Sequence, residues 1–180
     1  MTITCTAYLA MSLDGFIAGP DHDLGWLDVL PPPANNDMGY SALMASVDAL
    51  VMGRVTFDVV SGFDIPWPYT KPVVVMSKSM TDISANIDNV EVTALEPVAL
   101  VTDLDARGMS KLYIDGGQVV TSFLQAGLLD ELIVTVVPVV LGSGIRLFGE
   151  LNQPHWFETT TSETFENGMV QTTYRRDKTP

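Results

Sequence analysis

Positive charge is scarce in this chain. Nine Lys and Arg stand against 22 Asp and Glu, for a formal net charge of −13 over 180 residues. A surface of that sign repels phosphate backbones and anionic bilayers, which excludes nucleic-acid and membrane-surface partners. Cysteine is nearly absent. Cys5 stands alone, so no disulfide can form within the chain, and a cytoplasmic setting is expected. The two histidines, His22 and His155, lie far apart, and with one cysteine they make no zinc-binding set, so no metal site is expected. No apolar run reaches the length of a membrane span; Leu132 to Leu141 comes nearest, and Thr135 and Pro138 interrupt it. No basic run leads into an apolar one at the start, so no signal peptide is expected. Neither a Gly-x-Gly-x-x-Gly fingerprint nor a Walker phosphate loop is present, which excludes a standard Rossmann domain and weighs against kinase and GTPase chemistry.

What is present is a packed-domain composition, 47% hydrophobic and 17% charged. It fits one domain over residues 1–180, long enough to bury a core. Apolar, β-branched runs predict strands over Ile3–Met11, Asp48–Met52, Pro72–Ser77, Val90–Val92, Lys111–Ile114 and Glu131–Val140. Helical patterns fall between them: Asp37–Val47, with Asn35 or Asn36 as cap, Arg54–Val60, Pro97–Ala106 and Gly116–Ala126. Pro31-Pro32-Pro33 forbids a helix before the first of these. Two further strands, Trp156–Phe165 and Met169–Arg176, are joined by Asn167-Gly168, a strong hairpin signal. Alternating strands and helices that end in a hairpin predict a three-layer α/β/α fold with a mixed, mostly parallel sheet.

Four segments place a polar or glycine turn directly after a strand. They are Met11 to Gly19, Gly53-Arg54-Val55-Thr56, Ser77-Lys78-Ser79 and Asp115-Gly116-Gly117. Open α/β sheets bind phosphorylated ligands at such strand ends. Gly53-Arg54-Val55-Thr56 opens a helix, whose free N–H groups and the Arg54 guanidinium suit a phosphate; an arginine there is otherwise disfavoured by the helix dipole. Two hydroxyls and an ammonium at Ser77, Lys78 and Ser79 suit a phosphate monoester such as the 2′-phosphate of NADP, or simply a polar turn. Paired glycines at 116 and 117 let backbone approach a ligand closely, or serve only to turn the chain. Asp14 reads as a turn residue, Trp26 and Trp67 as core or, less commonly for lone aromatics, as pocket lining, and Asp37 either as a helix-start acid or as a carboxylate for a nitrogen heterocycle.

Jointly these segments resemble the dihydrofolate reductase-like superfamily, and within it the RibD C-terminal (riboflavin-biosynthesis reductase) branch. The likeness rests on Met11 to Ala18, Asp48 to Arg54, Gly127 to Leu132 and Val137 to Phe148, and it spans about residues 3 to 175. It implies a cytoplasmic, NADPH-dependent reductase of a small heterocycle or sugar imine, acting on C=N or CH–NH bonds. Gly53, Arg54 and Thr56 would meet the cofactor phosphates, and Ser77, Lys78 and Ser79 the 2′-phosphate. Gly116, Gly117, Gln118 and Val119 would lie under the pyrophosphate and nicotinamide, with Ala10 and Ile17 beside the ring. In folate reductases the peptide matching Gly116–Gly117 is cis, a costly state that would mark function here. Asp37 stands at the spacing of their substrate carboxylate, which makes it the catalytic candidate. The family also implies a homodimer, with the apolar Leu132–Leu141 run as part of its interface. A true folate reductase and a non-catalytic nucleotide-binding module remain as alternative readings.

Overall fold

A computed structural model describes residues 3–30, 36–80, 83 and 87–177. Pro31-Pro32-Pro33 and Asn35 lie outside the described residues. In chain order the strands are β1 (Thr4–Ser12), β2 (Phe16–Ala18), β3 (Ala49–Gly53), β4 (Val73–Met76), β5 (Val90–Thr93), β6 (Lys111–Asp115), β7 (Glu131–Val137), β8 (Ile145–Arg146), β9 (Phe157–Thr164) and β10 (Val170–Arg176). The helices are α1 (Tyr40–Ser46), α2 (Arg54–Ser61), α3 (Pro97–Ala106) and α4 (Gly117–Gln125), with short 3₁₀ turns at Pro20–His22 and Gly25–Asp28.

Eight strands form one sheet in the order β5-β4-β3-β6-β1-β7-β10-β9. The six from β5 to β7 run parallel, and β10 joins β7 and β9 antiparallel. Parallel strands covered on both faces carry continuous apolar runs, and Leu50, Val51 and Met52 in β3 are all 0% exposed. Alternate side chains point to opposite layers. Val51, Val74 and Ile114 pack with Leu100 and Leu104 of α3 and with Val120 and Phe123 of α4. Leu50, Met52, Val73 and Val75 pack with Leu43 and Met44 of α1 and Phe57 of α2. Burial of one such side chain stabilises the fold by about 1.5–3 kcal/mol. The result is the three-layer α/β/α arrangement with a mixed sheet. Cys5 is buried in it, and burial pushes its thiol up to about 12, so it stays protonated.

Two element boundaries and one added pair of strands differ from the sequence expectation, each for a local reason. β7 stops at Val137, because Pro138 has no N–H to donate to a ladder. α1 starts at Tyr40 instead of Asp37, because Met38 (φ +55°) and Gly39 (φ +85°) are left-handed. The Asp37 carboxylate accepts from the first turn, through Ser41 N–H at 2.8 Å, while the Asn36 side-chain oxygen accepts from Met38 N–H at 2.8 Å, before the helix. The third difference is the two-stranded sheet β2–β8, too short to leave a periodic signal in the sequence.

Candidate active site

In a parallel sheet every strand releases its chain at the same edge. Gly53 at the end of β3 pairs with Met76 at the end of β4, and Met52 pairs with Asp115 at the end of β6. The turns after these three strands therefore lie side by side. α2 begins at Arg54 and α4 at Gly117, so two helix N-termini, with free N–H groups and positive partial charge, open on this edge.

A cavity of about 380 Å³ lies there. Ala10, Ile17, Gly53, Thr56, Gly116, Gly117, Gln118 and Val119, all expected from the sequence, line it. The paired glycines are required by close packing. A Cβ on Gly117 would sit 2.6 Å from the Arg146 carbonyl oxygen and 3.3 Å from Ile17 Cδ1. Gly116 has φ +88°, and a Cβ there would collide with Thr56 Oγ1. The Gly116–Gly117 peptide is trans, unlike that of the folate reductases; no cis peptide occurs among the described residues.

Arg54, Ser77, Lys78 and Ser79 stand on the same edge but outside the cavity wall. Arg54 Nη1 is 2.7 Å from Asp58 Oδ2, one turn along α2. Lys78 Nζ is 2.6 Å from Glu96 Oε1, which raises the lysine's pKa. Ser77 Oγ accepts from Met80 N–H at 2.9 Å and Ser79 N–H at 3.3 Å, bracing its turn. Exposed ion pairs are weak, so a phosphate can take over either cation at little cost.

Asp37 is not brought to the cavity. It is exposed, and its carboxylate accepts from Gly39 N–H at 3.0 Å and Ser41 N–H at 2.8 Å. Hydrogen bonds from the Ser41 hydroxyl and from these backbone groups hold its carboxyl below the usual range. Its place is in the turn that presents the Met38 carbonyl to Tyr8 Oη at 3.1 Å. Trp26 and Trp67 are likewise off the wall, packed in apolar clusters as core residues.

The carboxylate on the wall is Asp115, last residue of β6. It is partly buried, and its charge is balanced by one backbone hydrogen bond, from Gly116 N–H at 2.8 Å. Burial lifts its carboxyl to about 6, against the lowering effect of that bond. Such a group exchanges its proton near neutral pH, as a general acid must. The sequence offered one signal for it, an acid at a buried strand end just before Gly-Gly, and spacing alone gave no reason to prefer it.

Aromatic residues complete the wall. Tyr113 Oη donates to the Tyr8 carbonyl at 2.9 Å, and Gln171 Nε2 donates to Tyr8 Oη at 3.3 Å. Tyr40 leans on Tyr8 with ring centroids 5.9 Å apart. These tyrosines were not singled out in the sequence, because they sit on different elements and their convergence is tertiary. The mouth is built by a link between distant segments. Ser12 Oγ donates to Asp14 Oδ1 at 2.7 Å, and Asp14 accepts from Leu141 N–H at 3.1 Å and Gly142 N–H at 2.7 Å. The Ser12 hydroxyl and then these amides hold the Asp14 carboxyl at about 2. β2 and β8 pair above, placing Ile17, Ala18 and Ile145 on the wall. His22 joins them from a loop in which Asp21 and His22 take left-handed φ of 55° and 63°.

Known proteins share this fold. The family model of the RibD C-terminal domain matches residues 3–171. The uncharacterized protein YwjB of Bacillus subtilis is 36% identical over 145 residues, 80% of this chain and 82% of that protein. A crystal structure from Shewanella sp. PV-4, assigned provisionally to a riboflavin biosynthesis protein, superposes with a TM-score of 0.94 at 43% identity, covering 98% of this chain and 100% of that one. The Thermotoga maritima diaminohydroxyphosphoribosylaminopyrimidine deaminase/5-amino-6-(5-phosphoribosylamino)uracil reductase shares the fold at 15% identity and TM-score 0.73, over 98% of this chain and 57% of that one. Enterococcus faecalis dihydrofolate reductase, solved with NADP(H), shares it at 18% identity and TM-score 0.64, over 97% of this chain and 96% of that one. Strand ends, paired glycines and family match agree: the chain belongs to the RibD C-terminal domain family, and it has the fold of dihydrofolate reductase.

Proposed function

We propose that this chain is an NADPH-dependent reductase that delivers hydride to a C=N or related bond of a small heterocycle or sugar-derived imine. The observation that carries this reading is the meeting of two helix N-termini, a glycine-backed strand edge and the Asp115 carboxylate around one cavity. The residues fit the cofactor. Gly53, Gly116 and Gly117 line the cavity, and their missing side chains let Val119, Thr56 and the Arg146–Leu147 backbone close in on the strand ends. The N-termini of α2 and α4 suit its pyrophosphate, with Thr56, Gln118 and Val119 beside them. Arg54 opens α2 beside the pyrophosphate and, with Ser77, Lys78 and Ser79 one strand further out, suits the 2′-phosphate. Ala10 and Ile17 would flank the nicotinamide, which supplies the hydride when bound.

Reduction of a C=N bond places hydride on carbon and leaves nitrogen needing a proton. Asp115 is the wall residue able to hold that proton and release it near pH 6. Tyr8 and Tyr113, fixed by their hydrogen bonds, give the ring a rigid apolar face and exclude water. Asp37 acts at one remove, by holding the turn against which Tyr8 is braced. The folate reductase alternative loses its main support with Asp37 outside the cavity. The reading extends to a cytoplasmic homodimer, which sedimentation of the purified chain tests.

The test of the cofactor assignment is a parallel titration with NADPH and NADH. Arg54→Ala combined with Lys78→Ala is expected to weaken NADPH at least tenfold and NADH little. Equal losses for both would remove the 2′-phosphate site, and no binding of either by the unaltered chain would leave a non-catalytic module.

A further inference from the structure

The wall of the cavity has a one-sided charge. Among the described residues no Lys or Arg lines it. The cations nearest the mouth are spoken for: the reductase reading gives Arg54 and Lys78 to the cofactor phosphates, and Arg146, next to the wall residue Ile145, lays its guanidinium over the Phe16 ring at 4.8 Å. The two helix N-termini that could hold an anion without a side-chain cation are those of α2 and α4, which the cofactor uses. His22, exposed at the mouth, is the one imidazole on the wall, and the charged group within is a carboxylate, Asp115. A phosphate monoester brings nearly two negative charges and three strong acceptors, and recognition normally takes Arg, Lys or a free helix N-terminus. Here it would find little but apolar and aromatic side chains and a like charge.

Resting on the reductase reading, we infer that the substrate of this cavity is a flat, unphosphorylated nitrogen heterocycle, neutral or cationic, lying against Tyr8 and Tyr40 with Asp115 as its polar anchor. The chain thereby departs from the Thermotoga maritima enzyme, whose named substrate carries a phosphoribosyl group. The departure lies in the walls rather than the fold, since binding an anion in a dry pocket without a partner is costly whatever the backbone.

The test uses a matched pair of ligands, 5-amino-6-ribosylaminouracil and its 5′-phosphate, titrated calorimetrically into the full chain with and without saturating NADP⁺. The unphosphorylated form is expected to bind at least tenfold tighter. In the Phe63→Lys variant, where the new ammonium rises from the cavity wall just after α2, the gap is expected to narrow by several-fold. Equal or tighter binding of the phosphate ester overturns the inference, and so does failure of both ligands to bind. The reductase reading fails separately: discrimination between the two ligands without any NADPH binding sinks that reading and leaves this one standing. NADPH binding with preference for the phosphate ester does the reverse.

Discussion

Replacing Asp115 with asparagine separates the energetic cost of the buried carboxylate from its chemical use. Burial lifts this carboxyl from 3.8 to about 6. At about 1.36 kcal/mol per pKa unit, the ionised form costs the folded state roughly 3 kcal/mol. The folded protein binds this proton more tightly than the unfolded chain does. Stability therefore falls as pH rises from about 4 to about 6, and the full cost applies above that. Asparagine keeps Oδ1 as acceptor for Gly116 N–H, which lies 2.8 Å away in the native chain, and removes the charge. Urea unfolding followed by tryptophan fluorescence at pH 4, 6 and 8 measures the difference. Asp115→Asn is expected to match the native chain at pH 4 and to exceed it by up to about 3 kcal/mol at pH 8, where Asp115 is ionised. The same variant is expected to lose turnover by at least about 100-fold, the usual scale for a general acid. Unfolding curves that stay parallel from pH 4 to 8 would refute the buried-charge argument. A variant with native turnover would refute the proton-holding role.

Other outcomes follow from the packing. Gly117→Ala would force a Cβ to within 2.6 Å of the Arg146 carbonyl; overpacking of this kind costs about 1–3 kcal/mol, and NADPH affinity is expected to fall along with the melting temperature. Asp14 acts in the opposite sense to Asp115. Its carboxyl is held at about 2, so its contribution is present above the unfolded value near 4 and is lost as pH falls toward 2. The difference in melting temperature between the native chain and Asp14→Asn should therefore shrink from pH 5 to pH 2; a constant difference would contradict the bonds to Leu141 and Gly142.

Most of the architecture was legible because it is written in local chemistry. Apolar runs marked β3, β4 and β6, a helical pattern starting at Pro97 marked α3, and Asn167-Gly168 marked the β9–β10 hairpin. Part of the cavity wall was legible for a related reason: strand-end glycines are local exceptions to propensity. Its aromatic part was not. Tyr8, Tyr40 and Tyr113 come from β1, α1 and β6, and only the sheet order brings them together. Asp37 drew attention by its spacing, but its carboxylate satisfied nearby amides instead, as short acidic side chains commonly do. Asp115 acquired its character from the burial of its neighbours, which no spacing encodes.

The sheet order also has a temporal meaning. β1 is made first, yet it lies between β6 and β7, and its hydrogen bond to the Asp130 side chain spans 125 residues. During synthesis this apolar strand must wait, one edge open until β6 is made and the other until the chain has been extended past Val137. Open apolar edges are templates for wrong pairing. The last third of the chain therefore decides whether the first strand folds or aggregates, and a ribosome stalled before residue 131 would present a substrate for chaperones rather than a folded intermediate.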